Sequence, residues 1–143
     1  MRGLLLALDS STEITSVGLA WCTEYDVEPL ASAIVDAHRA AMSRMLPAAL
    51  SLLSAHQLQA SDLEGVVVGR GPGSFTGVRI GVATAKGLAH GLGVPLWGTG
   101  TLDAVAWSQD LEREMLLGVV QAYIFAVLAT VFIGAAAGNG ETG

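Results

Sequence analysis

The stretch Gly-Arg-Gly-Pro-Gly-Ser-Phe-Thr-Gly-Val-Arg-Ile-Gly, residues 69–81, is the most informative part of this chain. The valine run before it predicts a buried strand over residues 65–69. The apolar and small residues after it predict a helix over residues 75–90. A buried strand that enters a helix through a glycine-rich bend is typical of domains that mix strands and helices.

The bend itself permits two interpretations. Gly71 and Gly73 allow backbone conformations closed to other residues, Pro72 stiffens the turn, and Ser74 is placed to cap the helix. Such a bend is either a purely structural turn or a phosphate site at the helix N-terminus. The sequence lacks the lysine of a Walker loop, and Thr76 stands where the dinucleotide fingerprint has its third glycine.

The helix that follows is poor in bulky side chains. Glycine in a helix interior costs about 1 kcal/mol relative to alanine, so close packing should compensate for it. That packing is either against the sheet of the same domain or against a helix of a partner, and the sequence leaves both open. The residues concerned are Gly77, Gly81, Ala85, Lys86, Gly87 and Ala89.

The N-terminal part of the chain predicts three strands. An apolar run over 4–8 and a loosely alternating run over 14–22 should form a hairpin, and a third strand should cover 30–36 after a turn at 25–29. Apolar residues spaced by three and four predict an amphipathic helix over 40–56.

Shorter elements complete the domain. Pro47 falls inside the helix pattern of residues 40–56 and predicts a kink or a late helix start. A capped turn over 61–64, a strand over 94–97 and the start of a helix over 101–107 follow. The prediction is a mixed α/β domain over residues 1–107.

Composition limits the classes of function. The chain has 143 residues, 14% of them charged, and a net charge of −6, which argues against a surface that follows nucleic-acid phosphates. Cys22 is the single cysteine, so neither an internal disulfide nor a cysteine pair for a metal is expected. The apolar stretch at the N-terminus is too short for a signal peptide, which predicts a cytoplasmic location.

Three motifs in order resemble the TsaB (YeaZ) family: residues 6–11, residues 44–47 and residues 69–81. The resemblance implies the N-terminal half of the actin, sugar-kinase and Hsp70 fold. It also implies a non-catalytic scaffold for a TsaD-type enzyme, which places threonylcarbamoyl on adenosine 37 of tRNA. A TsaE-type ATPase would complete the assembly, tRNA would be met indirectly, and ATP and magnesium would belong to the wider complex.

The resemblance also assigns roles to residues. Asp9, with Ser10 and Ser11, matches the superfamily position that holds phosphate and magnesium; as a relic, Asp9 would only shape the turn, which is the favoured interpretation. Ala41 stands where many members have histidine, so no metal site is expected there. No catalytic residue is assigned. Family members continue into a second domain, which this sequence does not include.

The partner surface implied by the resemblance lies on the two helices. A TsaD-type protein would dock on it, and a homodimer through the same helices stays open. A Gly81→Leu change is expected to block helix approach without unfolding the domain. The residues are Met42, Met45, Leu46 and Leu50 on one helix and Val78, Ile80, Gly81 and Lys86 on the other.

Residues 115–138 differ from the rest, because they carry no charge. As a helix they would span about 36 Å, enough to cross a bilayer. Around Gln121 the sequence resembles the last transmembrane helix of ATP synthase subunit a. A junction artefact over 108–114 is favoured over a true membrane tether or a buried core helix, and a polar tail over 139–143 ends the chain.

Two alternatives to the scaffold function stay open. One is a small nucleotide-binding or phosphotransfer domain that uses Asp9 and the glycine-rich bend. It lacks a Walker lysine and a clear general base, because His38, His56 and His90 are scattered along the sequence. The other is a membrane-tethered or fused fragment, which depends on residues 115–138 alone.

Overall fold

The computed structural model describes residues 3–12, 14–36 and 41–100, with the side chains of 36, 41 and 42 outside that description. The element order along the described chain is three strands, a helix, a strand, a helix and a strand, with a short 3-10 turn before the fourth strand. The elements are β1 (Gly3–Asp9), β2 (Ile14–Cys22), β3 (Val27–Asp36), α1 (Ala41–Ala55), the turn Ala60–Asp62, β4 (Leu63–Gly69), α2 (Phe75–Leu92) and β5 (Leu96–Thr99).

The five strands form one mixed sheet in the order β3-β2-β1-β4-β5. The strands β1, β2 and β3 pair antiparallel, whereas β4 pairs parallel with both β1 and β5. In the parallel part Leu8 lies opposite Val68, and Gly69 lies opposite Thr99. The carboxyl ends of β1, β4 and β5 therefore meet at one edge of the sheet.

The main core lies between the sheet and the two helices. Alternate residues of β1 point to the same face, so Leu4, Leu6 and Leu8 all enter this core. Burial of these aliphatic side chains is the main favourable contribution to the fold. The other members of the cluster are Val17, Leu19, Met45, Ala49, Leu53, Leu63, Val66, Val68, Ala85 and Ala89.

The mixed α/β fold and the β1–β2 hairpin are confirmed, and β2 has the predicted bounds. The predicted turn over 25–29 is wrong in its second half, because β3 begins at Val27. Pro29 lies within this strand, opposite Ala20, where the register shifts. Since β3 is an edge strand, a proline there removes no hydrogen bond that an inner strand would need.

The helices differ from the sequence predictions mainly at their ends. Of the kink or late start predicted from Pro47, the late start does not occur, because α1 begins at Ala41 and continues through Pro47. The kink stays a prediction. The helix α2 continues to Leu92 and ends at Gly93, whose φ of 67° suits glycine. The amide of Val94 donates to the carbonyl of Ala89, so β5 begins at Leu96 rather than at the predicted 94.

Several predictions concern residues outside the described part of the chain. These are the helix start over 101–107, the junction over 108–114, the apolar segment over 115–138 and the tail over 139–143. Within the described ranges, neither helix combines the length and the apolar character needed to cross a bilayer. The membrane interpretation of residues 115–138 stays a prediction.

Candidate functional site

The turn after β1 lies at the edge where the parallel strands end. Asp9 is 5% exposed, and its Oδ1 accepts hydrogen bonds from the Ser11 amide at 2.7 Å and from the Ser11 hydroxyl at 2.6 Å. Short side-chain to backbone bonds of this kind hold a turn in one conformation. The carboxylate is therefore engaged in shaping the turn that begins with it.

The neighbouring strand leaves room for this carboxylate only because it ends in glycine. A Cβ at Gly69 would collide with Oδ2 of Asp9. On the far side, the Arg70 amide donates to the Thr99 carbonyl at 2.8 Å, and the Arg70 side chain lies over Gly98. The edge of the sheet is thus closely packed around Asp9.

Two glycines of α2, Gly77 and Gly81, face the same turn. A Cβ at Gly77 would collide with the Ser10 carbonyl oxygen, and one at Gly81 would lie 2.6 Å from the Ser10 hydroxyl oxygen. That hydroxyl donates to the Gly77 carbonyl at 2.6 Å. In the bend before the helix, a Cβ at Gly73 would collide with the Ser11 carbonyl oxygen. These three glycines therefore let the turn and α2 approach each other closely.

Two backbone amides at the N-terminus of α2 are bonded to groups of the chain itself. The Ser74 hydroxyl accepts from the Gly77 amide at 3.2 Å, which confirms the predicted cap. The Ser74 amide donates to the Ser11 carbonyl at 2.7 Å. An anion at this helix end would compete with these bonds for the same amides, so the geometry favours the structural interpretation of the bend.

The outward faces of α1 and α2 form a second candidate site, which we call the helix-pair face. It contains exposed apolar side chains: Leu46 is 38%, Leu50 45% and Phe75 76% exposed. A groove of about 350 Å³ runs along α2. The residues that line it in the described part of the chain are Thr76, Arg79, Ile80, Ala83 and Thr84. Large exposed apolar groups on helices that cover the same face of a sheet mark a candidate interaction surface.

Two residues assigned to the partner surface do not lie on it. Met45 is fully buried in the core, and Gly81 faces Ser10 and Val68 of its own sheet. The expectation that Gly81→Leu would leave the domain folded is therefore wrong, because the new side chain would enter this buried contact. The small-residue spacing in this part of α2 reflects packing within the domain.

The other assigned residues fall into three groups. Leu46, Leu50 and Lys86 are exposed, and Val78 and Ile80 are partly buried. The side chain of Met42 is outside the described part. The helix-pair face thus retains the predicted outer leucines.

Sequence reasoning missed Phe75 and Arg79 as parts of this face. The Arg79 guanidinium lies 5.2 Å from the centre of the Phe75 ring, a cation–π arrangement. Their spacing of four residues on one helix was the available signal. Both residues belong to the glycine-rich motif, whose glycines and proline indicate a bend more strongly than this pair indicates a surface.

Among the described residues, no three His, Cys, Asp or Glu side chains come together as a metal site would require. Burial, and secondarily the charge of Asp26, raises the pKa of the Cys22 thiol to about 11. A buried thiol that remains protonated at neutral pH is a poor nucleophile and metal ligand.

Comparison with known proteins places this geometry in a family. The model described as TsaD: tRNA N6-adenosine threonylcarbamoyltransferase matches residues 35–122, more than half of the chain. The chain belongs to the TsaD-like family of the TsaB (YeaZ) proteins. The match extends beyond residue 107, the end of the predicted α/β domain.

Relatives in this family are similar over most of the chain. The tRNA threonylcarbamoyladenosine biosynthesis protein TsaB of Escherichia coli is 38% identical over 123 residues, which cover 80% of this chain and 49% of that protein. TsaB of Haemophilus influenzae is 40% identical over 103 residues, 71% of this chain and 41% of that protein. This TsaB-family chain thus spans about half the length of the relatives it matches.

Solved structures confirm the fold. YeaZ from Pseudomonas aeruginosa superposes with a TM-score of 0.66 at 35% identity, over 77% of this chain and 49% of that one. RuvC of Thermus thermophilus gives a TM-score of 0.61 at 15% identity, which shows a shared RNase H-like fold alone. None of these comparisons supports the resemblance of residues 115–138 to ATP synthase subunit a.

Proposed function

We propose that this TsaB-family chain is a non-catalytic scaffold for a TsaD-type enzyme that threonylcarbamoylates adenosine 37 of tRNA. The relatives named for threonylcarbamoyladenosine biosynthesis support the pathway. In this proposal, the chain meets the TsaD-type protein directly. The TsaE-type ATPase and tRNA join through the assembly, and ATP and magnesium act there.

The observation that carries the proposal is that the two sides of α2 differ: one contacts the chain's own turn and the other is exposed. Its inward glycines hold the β1–β2 turn, through contacts of Gly77 and Gly81 with Ser10. Its outward side, together with Leu46 and Leu50 of α1, exposes apolar groups that no described element covers. Burial of such apolar groups against a partner is favourable in free energy.

The hydrogen bonds of the turn at Asp9 favour a scaffold function rather than phosphotransfer. Phosphoryl transfer depends on groups that are free to position phosphate and metal. Here Oδ1 of Asp9 accepts two hydrogen bonds from Ser11, and the Ser74 amide is taken by the Ser11 carbonyl. We therefore assign Asp9, Ser10 and Ser11 to the support of the α2 N-terminus.

Co-purification of the full chain with a TsaD-type protein tests this function. We expect the two proteins to co-elute, and we expect Leu50→Glu to weaken the complex at least tenfold, because a charge would be buried against an apolar partner surface. Leu50 is 45% exposed in the free chain, so the variant should remain folded.

A matched control is available on the β2–β3 turn. Tyr25 is 93% exposed and lies on no part of the helix-pair face, so Tyr25→Glu should leave the complex intact. If the wild-type chain does not bind a TsaD-type protein, the proposed function is wrong. If Leu50→Glu and Tyr25→Glu behave alike, the partner uses another surface.

A further inference from the structure

The face of the sheet that is turned away from α1 and α2, which we call the second face, is also buried. Successive side chains of a strand point to opposite faces, so the residues that alternate with the core cluster lie on the second face. None of them belongs to that cluster, yet each is 8% exposed or less. They are Leu5 and Ala7 of β1, Ala20 and Cys22 of β2, Val27 of β3 and Val67 of β4.

No element in the described part of the chain accounts for this burial. Both described helices pack on the first face, where Met45 of α1 and Ala85 of α2 join the core cluster. On the second face the Trp97 ring lies over Gly65, and this side chain is itself only half-buried. A sheet that is shielded from water on both faces has a layer packed on each of them.

The centre of the second face is shallow. Ala7 lies opposite Gly18 in the β1–β2 ladder, and Ala20 follows on the same side of β2. All three are buried. Small residues within strands leave room for another backbone to approach closely. The element that covers this face should therefore be free of charge and should present small side chains to the sheet.

Residues 115–138 have this composition, because they carry no charge. On a helix, four of their small residues would share one side, since they are spaced by four, four and three positions. These four are Gly118, Ala122, Ala126 and Ala129. Residues 101–114 fit the face less well, because they carry five charged side chains whose burial against apolar groups would be costly. They are long enough to connect β5 to a helix on this face.

We propose that residues 115–138 lie on the second face of the chain's own sheet, with their small residues against Ala7 and Gly18, and form the third layer of the domain. The match to the family model continues to residue 122, which supports assigning the beginning of this stretch to the same domain as the sheet. A buried core helix, disfavoured on the sequence alone, thereby has a surface to pack on. The same residues cannot lie on the sheet and cross a bilayer at once.

The single cysteine reports on this cover, because Cys22 lies on the second face and is 4% exposed. The experiment measures alkylation of Cys22 by iodoacetamide in the full chain and in two variants. Ala126→Glu would place a charge between the segment and the sheet, so we expect alkylation to be about tenfold faster. Val131→Glu, on the opposite side of the same helical pattern, is the matched control and should stay within about twofold of the wild type.

A second measurement uses the wild-type chain alone. We expect it to remain in the soluble fraction when it is mixed with phosphatidylcholine vesicles and floated on a density gradient. Cys22 should react far more slowly in the folded chain than in urea, and the vesicles should leave this rate unchanged. This measurement decides the question if circular dichroism shows that Ala126→Glu does not fold.

Four results would overturn the inference. Flotation of the wild-type chain with the vesicles would identify residues 115–138 as a membrane segment. Alkylation of Cys22 as fast in the folded chain as in urea would show that the second face is open. Equal rates in folded Ala126→Glu and Val131→Glu would mean that the small residues do not face the sheet. A wild-type rate that falls as the chain concentration rises would identify a second copy as the cover.

The inference and the proposed function fail separately. The helix-pair face lies on the other side of the sheet, so binding of a TsaD-type protein there does not depend on what covers the second face. A chain that floats with vesicles and still binds a TsaD-type protein would retain the scaffold function and lose the third layer.

Discussion

Gly77→Ala is expected to lower the free energy of unfolding by about 1–3 kcal/mol, the usual cost of forcing an extra group into a closely packed site. The new Cβ would collide with the Ser10 carbonyl oxygen, a backbone atom that cannot rotate away. The change would also disturb the hydrogen bond from the Ser10 hydroxyl to the Gly77 carbonyl. Urea denaturation followed by circular dichroism measures this loss.

Gly87→Ala is the matched control on the same helix. A Cβ at Gly87 would have nothing within 4 Å, so only the higher helix propensity of alanine remains. We expect this variant to be more stable than the wild type by about 0.5–1 kcal/mol. If both substitutions stabilise the chain, α2 does not press against the β1–β2 turn as described.

The single cysteine gives an independent readout for these variants. Cys22 is 4% exposed, and burial raises its pKa to about 11. A thiol that is both shielded and protonated reacts slowly with alkylating reagents. Faster labelling of Cys22 in Gly77→Ala than in Gly87→Ala would report the expected increase in opening of the sheet.

Met45→Ala is expected to cost about 2–5 kcal/mol of stability, as for other large-to-small changes in a core. Met45 is 0% exposed and packs with Ala49 and Leu53 against the sheet. Leu50→Ala, on the opposite side of α1, should cost far less, because this leucine is 45% exposed. Thermal or urea unfolding of the two variants checks the difference.

The Met45→Ala and Leu50→Ala variants should also differ in how they bind a TsaD-type partner. Leu50→Ala should weaken the complex while leaving the free chain stable. Equal losses of stability in the two variants would mean that the inner and outer faces of α1 have been assigned wrongly.

The sequence predicted the elements well where local signals agreed. The bounds of β2 and the start of α2 at Phe75 follow from patterns that neighbouring residues determine. The start of β3 was missed because Pro29 reads locally as a turn residue. Only its position on an edge strand, opposite a register shift, makes it acceptable in a sheet.

The sequence predicted the exposed leucines of the candidate surface but wrongly added the buried Met45 and Gly81 to it. Both Met45 and Leu46 fit a helical apolar pattern, and periodicity alone does not tell which of two adjacent stripes faces the domain's own sheet. For Gly81, the deciding contact is with Ser10, 71 positions earlier in the sequence. Nothing local to α2 reports a contact over that separation, so the glycine was assigned to a partner.

The edge strand β3 is the main rival to the helix-pair face as a docking surface. Edge strands offer unpaired backbone groups that can bind a strand of another protein. Ile34 on β3 is 49% exposed. A direct test must therefore distinguish β3 from the two helices.

Hydrogen–deuterium exchange of the full chain, with and without a TsaD-type protein, makes this distinction most directly. The proposed scaffold role predicts slower exchange in the complex across α1 and α2, with β3 and the turn at Thr23–Asp26 unchanged. Slower exchange confined to β3 or to the Asp9–Thr12 turn, with both helices unchanged, would contradict the assignment of the helix-pair face as the docking surface.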